Sequence, residues 1–130
     1  PVCNAYDIAF ETVCSEDAFE QNDNDNNATP IAVGQTIRHL AAVGSDSDYF
    51  EVDLGANQSV VVTVPFAHAA GDLRLRIYND AGTLFGTVDT ATDNEATVVS
   101  NGDPTPLTVF LRVDLPGGGC NVYDLSVAPN

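Results

Sequence analysis

The sequence predicts an all-β protein, an antiparallel β-sandwich or jelly roll of about eight strands. Three observations carry that expectation. Short runs rich in Val, Leu, Thr and aromatic residues alternate apolar with polar positions; turns built from Gly, Asn, Asp and Pro recur about every 8–12 residues; and no stretch sustains a long helical apolar stripe. The chain has 130 residues, 44% of them hydrophobic, enough for a single domain with its own core and too apolar for a wholly disordered chain.

Taken in order, residues 4–13 read two ways. Tyr6, Ile8, Phe10 and Thr12 alternate as in a half-buried strand, whereas Tyr6, Ala9, Phe10 and Val13 share one face of a short helix. The β-branched and aromatic content favours a strand. Residues 17–27 (DAFEQNDNDNN) hold four carboxylates and four asparagines and have no buried periodicity, so they form a loop. Residues 35–42 (QTIRHLAA) follow as a strand, then an acidic turn, GSDSD, at 44–48. In residues 48–54, Phe50, Val52 and Leu54 alternate with Tyr49, Glu51 and Asp53. A Gly55–Gln58 turn leads into 59–66 (SVVVTVPF), the most β-prone run, with Pro65 near its end where proline is tolerated. In 72–79, Leu73, Leu75 and Ile77 point inward and Arg74 and Arg76 outward; a turn at 80–82 returns the chain as 83–88. Strands at 95–100, 107–115 and 121–128 complete the set, and Leu107, Val109, Leu111, Val113 and Leu115 share one face. Strands joined by short turns are expected to be antiparallel neighbours.

Charge narrows the function. Nineteen acidic residues stand against four arginines (Arg38, Arg74, Arg76 and Arg112) and no lysine, for a net charge of −15. The charge argues against nucleic acid and anionic membrane surfaces as partners, because both are bound by clustered basic residues. No apolar run is long enough to cross a bilayer. The chain starts at Pro1 and reads as a processed mature chain or an excised domain. Cys3, Cys14 and Cys120 show no CxxC spacing, which argues against zinc and for an exported protein with one disulfide and an odd thiol. If residues 4–13 are extended, Cys3 and Cys14 lie roughly 35 Å apart, and about 16 Å as a helix. Bridged Cα atoms need to be within about 7 Å, so only a hairpin there would let these two pair. With the N-terminal strand running antiparallel to the last one, Cys14–Cys120 is the expected pair, and Cys3 is free or intermolecular.

The two acidic turns suit a hard cation such as calcium, which takes six to eight oxygen ligands; solvated loops whose Asp and Asn side chains cap backbone N–H groups are the alternative. They are not an EF-hand: its sixth position, counted from Asp23, is Ala28 and its twelfth Gly34. His39 and His68 are the only histidines and no GxSxG elbow accompanies them, so no catalytic residues are assigned.

Four segments resemble a known family. EQND (20–23) is similar to the E-P-N-D element of bacterial pre-peptidase C-terminal domains, GSDSDYF (44–50) to their G-x-D-x-D-x-F turn and strand, GDLRLRIY (71–78) to G-D-L-x-L-x-L-Y, and YDLSV (123–127) to the closing Y-x-L-x-V. The departures are Gln21 in place of the usual proline and Arg74 where a second Asp is common. The resemblance divides the chain into an extension, 1–16, that could add a strand, and a sandwich, 17–130. It implies a secreted, non-catalytic module attached to a protease or other hydrolase. The related collagen-binding domains of clostridial collagenases hold calcium through similar acidic segments. Carried over by position, that implies Glu20, Asn22, Asp23, Asp46 and Asp48 as ligands, with Ala18 where some relatives have a further carboxylate. Collagen binding does not carry over, since Arg112 stands where an aromatic would be wanted. A second expectation is a self-assembling extracellular surface or filament subunit whose N-terminal segment adds a strand to its neighbour.

Overall fold

Alternating valines make residues 59–64 a strand buried on one side, and the same period of two builds the rest of the fold. The structure is a computed structural model that describes residues 17–44 and 46–130. Nine strands follow one another among these residues: β1 (Thr29–Pro30), β2 (Thr36–Val43), β3 (Ser47–Leu54), β4 (Ser59–Val64), β5 (Arg74–Asn79), β6 (Leu84–Val88), β7 (Glu95–Ser100), β8 (Leu107–Asp114) and β9 (Cys120–Pro129). The only helical pieces described are single 3-10 turns at Asp25–Asn27 and His68–Ala70. A five-stranded sheet, in the order β1-β3-β8-β5-β6, packs on a four-stranded one, β2-β9-β4-β7. Every pairing is antiparallel except the short parallel one of β1 with β3. This is the β-sandwich that the sequence predicts. The expected strand at 4–13 and both Cys3 and Cys14 lie outside the described residues.

The inner faces follow strand parity. Phe50, Val52 and Leu54 of β3, Leu75 and Ile77 of β5, and Val109, Leu111 and Val113 of β8 are buried; Val60, Val62 and Val64 of β4 with Leu125 and Val127 of β9 meet them from the other sheet. Each such side chain contributes about 1.5–3 kcal/mol through removal from water. In β2 the phase slips: the register shifts between Ile37 and Leu40, His39 takes a left-handed backbone at φ 63°, and its N–H is satisfied by Asp124 Oδ1 at 3.1 Å. The bulge lets Ile37, Leu40 and Ala42 all face inward.

One expectation is corrected. Of the strands joined by short turns, only β5 and β6 are hydrogen-bonded neighbours; β2 to β3, β3 to β4 and β7 to β8 each pass from one sheet to the other. The reason is burial. Every strand has one apolar face, and a chain that crosses between sheets places each new face against the last. The acidic turn at 44–48 is therefore a rim connection between the layers, which sets the position of the site.

Candidate metal centre

Residues 17–28 lie along this rim and are fastened by side chain–backbone bonds. Asp17 Oδ2 accepts the Ala41 N–H of β2 at 2.8 Å, and Asp17 Oδ1 accepts the Phe19 N–H. Asn22 is pinned to β3: its carbonyl accepts the Tyr49 N–H at 2.8 Å and its Nδ2 reaches the Tyr49 carbonyl. Opposite, Gly44 has φ 62° and donates its N–H to the Gly119 carbonyl at 2.7 Å, and the Asp46 N–H returns to the Val43 carbonyl. A side chain at Gly44 would be strained by that left-handed backbone, so glycine here fixes how the chain enters the turn.

These attachments bring Glu20, Asp23 and Asp46 together, with one carboxylate oxygen of each within 4.8 Å of the others. Asn22 is 1% exposed, and its Oδ1 is buried without a hydrogen-bond partner among the described residues. A carbonyl oxygen left in that state costs about 1–3 kcal/mol. Asp48 is 2% exposed. It shares parity with Phe50, Val52 and Leu54, so β3 aims it into the sandwich, where the Tyr123 hydroxyl of β9 donates to its Oδ2. Burial, chiefly, pushes its carboxyl up to about 7; the tyrosine bond opposes this, while Asp17, Glu20 and Asp23 raise it further. The Tyr123 phenol is in turn raised well above its ordinary value by burial and by the Asp48 charge.

The donor set fits a hard cation. All the groups are oxygens, three carboxylates converge, a buried amide oxygen lacks a donor among the described residues, and a further carboxyl is pushed up to about 7, chiefly by burial and less by its negative neighbours. Soft or borderline metals are disfavoured, since among the described residues neither sulfur nor imidazole takes part. Of the five residues expected as ligands, the structure gathers Glu20, Asp23 and Asp46, buries Asn22 between two of them in sequence, and ties Asp48 to Tyr123. Sequence reasoning missed Asp17 and Tyr123. The second had a signal: Tyr123 shares parity with Leu125 and Val127, which puts it on the inner face of β9.

Two other charged groupings stand apart. Asp72, Asp89 and Glu95 bring carboxylate oxygens within 4.8 Å, but Glu95 is wholly buried and accepts the Thr90 N–H at 2.8 Å and its hydroxyl at 3.1 Å, closing the loop before β7. On the outer face of the five-stranded sheet, Arg74, Arg76 and Arg112 surround Asp114, at 2.8, 2.8 and 3.4 Å. Burial alone would raise the Asp114 carboxyl, but Arg74 and Arg76 outweigh it and hold it below the ordinary range. Cys120 is disulfide-bonded, and the expected partner, Cys14, lies outside the described residues.

The arrangement is that of a β-sandwich with an acidic rim. No protein-family model matches the sequence, and no curated protein matches it. Solved structures do match the fold. The pre-peptidase C-terminal domain of a collagenase from Bacillus anthracis superposes with a TM-score of 0.64 over 77% of this chain and 93% of its own, at 16% identity. PliG of Aeromonas hydrophila, a periplasmic inhibitor of g-type lysozyme, gives 0.55 over 77% of this chain and 96% of its own, at 12% identity. The chain therefore has the fold of a pre-peptidase C-terminal domain.

Proposed function

We propose that this chain is a non-catalytic, extracellular calcium-binding module that accompanies a secreted hydrolase, giving it stability or a binding surface. The observation that carries the reading is the meeting of Glu20, Asp23 and Asp46 from two loops that only the fold brings together, beside the orphaned Asn22 oxygen. Calcium bound there would be held by those carboxylates with Asn22 and Asp48, and its charge would offset their repulsion and clamp loop 17–28 to the β2–β3 turn. Water completes the six to eight oxygens that calcium takes. The disulfide belongs to the same proposal as Cys14–Cys120, which suits an oxidising compartment. The likeness to a collagenase domain supports a hydrolase as parent protein.

Thermal melting in chelator, calcium and magnesium tests the reading. Calcium should raise the melting temperature, and magnesium less, because its tight octahedron tolerates an irregular site poorly. Equal responses to both ions, or to neither, would leave the turns as acidic loops. Self-assembly is the competing reading. The exposed Leu84 and Phe85 on edge strand β6, with Val98 on edge strand β7, favour it, and analytical ultracentrifugation showing only monomer at high concentration would remove it.

A further inference from the structure

A concavity of about 220 Å³ lies where the Asp25–Asn27 turn approaches the β5–β6 hairpin, with Tyr49, Tyr78, Phe110, Asn24, Asp25 and Asn79 among its lining. The three aromatics belong to the outer face of the five-stranded sheet: Tyr78 pairs with Phe110 across β5 and β8, and Tyr49 with Arg112 across β3 and β8. All three are only half-buried, so they are not core residues.

The polar part of the wall is pre-set. Asn79 Oδ1 accepts the N–H groups of Ala81 and Thr83 at 3.0 and 2.9 Å, which locks the amide into the hairpin turn. Asn24 Oδ1 likewise accepts the Asn27 N–H at 3.1 Å. With both oxygens committed, each amide keeps its NH₂ donors for another molecule. The Asp25 carboxylate makes no hydrogen bond among the described residues and supplies an acceptor. Aromatic walls, two fixed donors and one acceptor therefore share one small cleft.

We propose that this cleft binds a single neutral pyranose unit, such as the terminal sugar of a glycan. The C–H face of a pyranose is apolar and packs on aromatic rings, while its hydroxyls both donate and accept. The volume is below the roughly 300–1,000 Å³ of drug-sized sites, which matches one ring rather than a chain of them. The charges argue against ionic ligands. Asp25 repels an anion, and Arg112 lies 5.7 Å from the centre of the Tyr49 ring, occupying the place where that ring would hold a cation.

The test is a ¹⁵N-labelled NMR titration of the protein with methyl glycosides of glucose, mannose, galactose and N-acetylglucosamine, in calcium-containing buffer. At least one should bind saturably and shift the side-chain NH₂ signals of Asn24 and Asn79 and the amides around Tyr78. Tyr78→Ala should weaken that binding about tenfold. Asn79→Asp preserves the oxygen that caps the turn and replaces the donor by a charge, so it should abolish binding in a chain that still folds. Silence towards all the glycosides, shifts confined to another surface, undiminished binding by Asn79→Asp, or displacement of the same signals by tetramethylammonium alone would overturn the proposal.

Discussion

Asp48 makes the rim sensitive to pH in a direction opposite to most carboxylates. Its pKa rises from 3.8 to about 7 on folding without a cation. Between those values the folded chain keeps a proton that the unfolded chain has released. Stability in chelator should therefore fall as pH rises through that window and level off above it. Each pKa unit is 1.36 kcal/mol, so the loss from this one group approaches about 4 kcal/mol, and with Asp48 2% exposed solvent screening reduces it little. Asp48→Asn removes the ionisation while leaving an oxygen for the Tyr123 hydroxyl. Urea unfolding from pH about 4 to about 8 should show the slope in wild type and a flatter profile in the variant. In chelator at the upper end the variant should be the more stable. In calcium the order should reverse, because the ion favours the charged carboxylate that asparagine cannot supply. A wild-type stability in chelator that rises across this window, or a variant with the same slope, would refute the placement of Asp48.

Other consequences are independent of the cation. Asp114→Ala leaves three guanidiniums crowded on one face and should cost about 3 kcal/mol by chemical denaturation; because its carboxyl is held low, the wild-type contribution is present above the unfolded pKa and should be lost only as pH falls through the lower folded value. Asn101 is 2% exposed, donates to the Gly55 and Thr105 carbonyls and accepts the Asp103 N–H, so Asn101→Ala should destabilise by about 2–3 kcal/mol, and an effect below about 0.5 kcal/mol would mean that these bonds are replaced by water. Non-reducing peptide mapping should find Cys14 linked to Cys120; a Cys3–Cys14 peptide would refute both that pairing and the extended reading of residues 4–13.

The strands were legible because burial on one side imposes a period of two. Phe50, Val52 and Leu54, or Leu75 and Ile77, mark their inner faces without any tertiary information. Sheet order was not legible: whether a short turn folds a strand beside its predecessor or across to the other layer depends on which apolar faces remain uncovered, and no local signal in GSDSD states that. β1 escaped notice for a related reason, since Thr29 and Pro30 become a strand only by pairing with Phe50 and Glu51. At the site, the acidic loops stood out by composition, and strand parity places Asp48 on the core side. Its meeting with Tyr123, 75 residues away, and the burial of Asn22 required the fold.

The measurement that bears most directly on the central claim is a calorimetric titration of calcium into the chain stripped of metal, repeated with Glu20→Gln and Asp46→Asn. Binding to the native state alone should stabilise it by about 2.7 kcal/mol at a hundredfold excess over Kd, and the heats should describe saturable binding that each substitution weakens by at least about tenfold. Heats indistinguishable from dilution, or saturable binding that both substitutions leave intact, would contradict the assignment of these two loops as a calcium site.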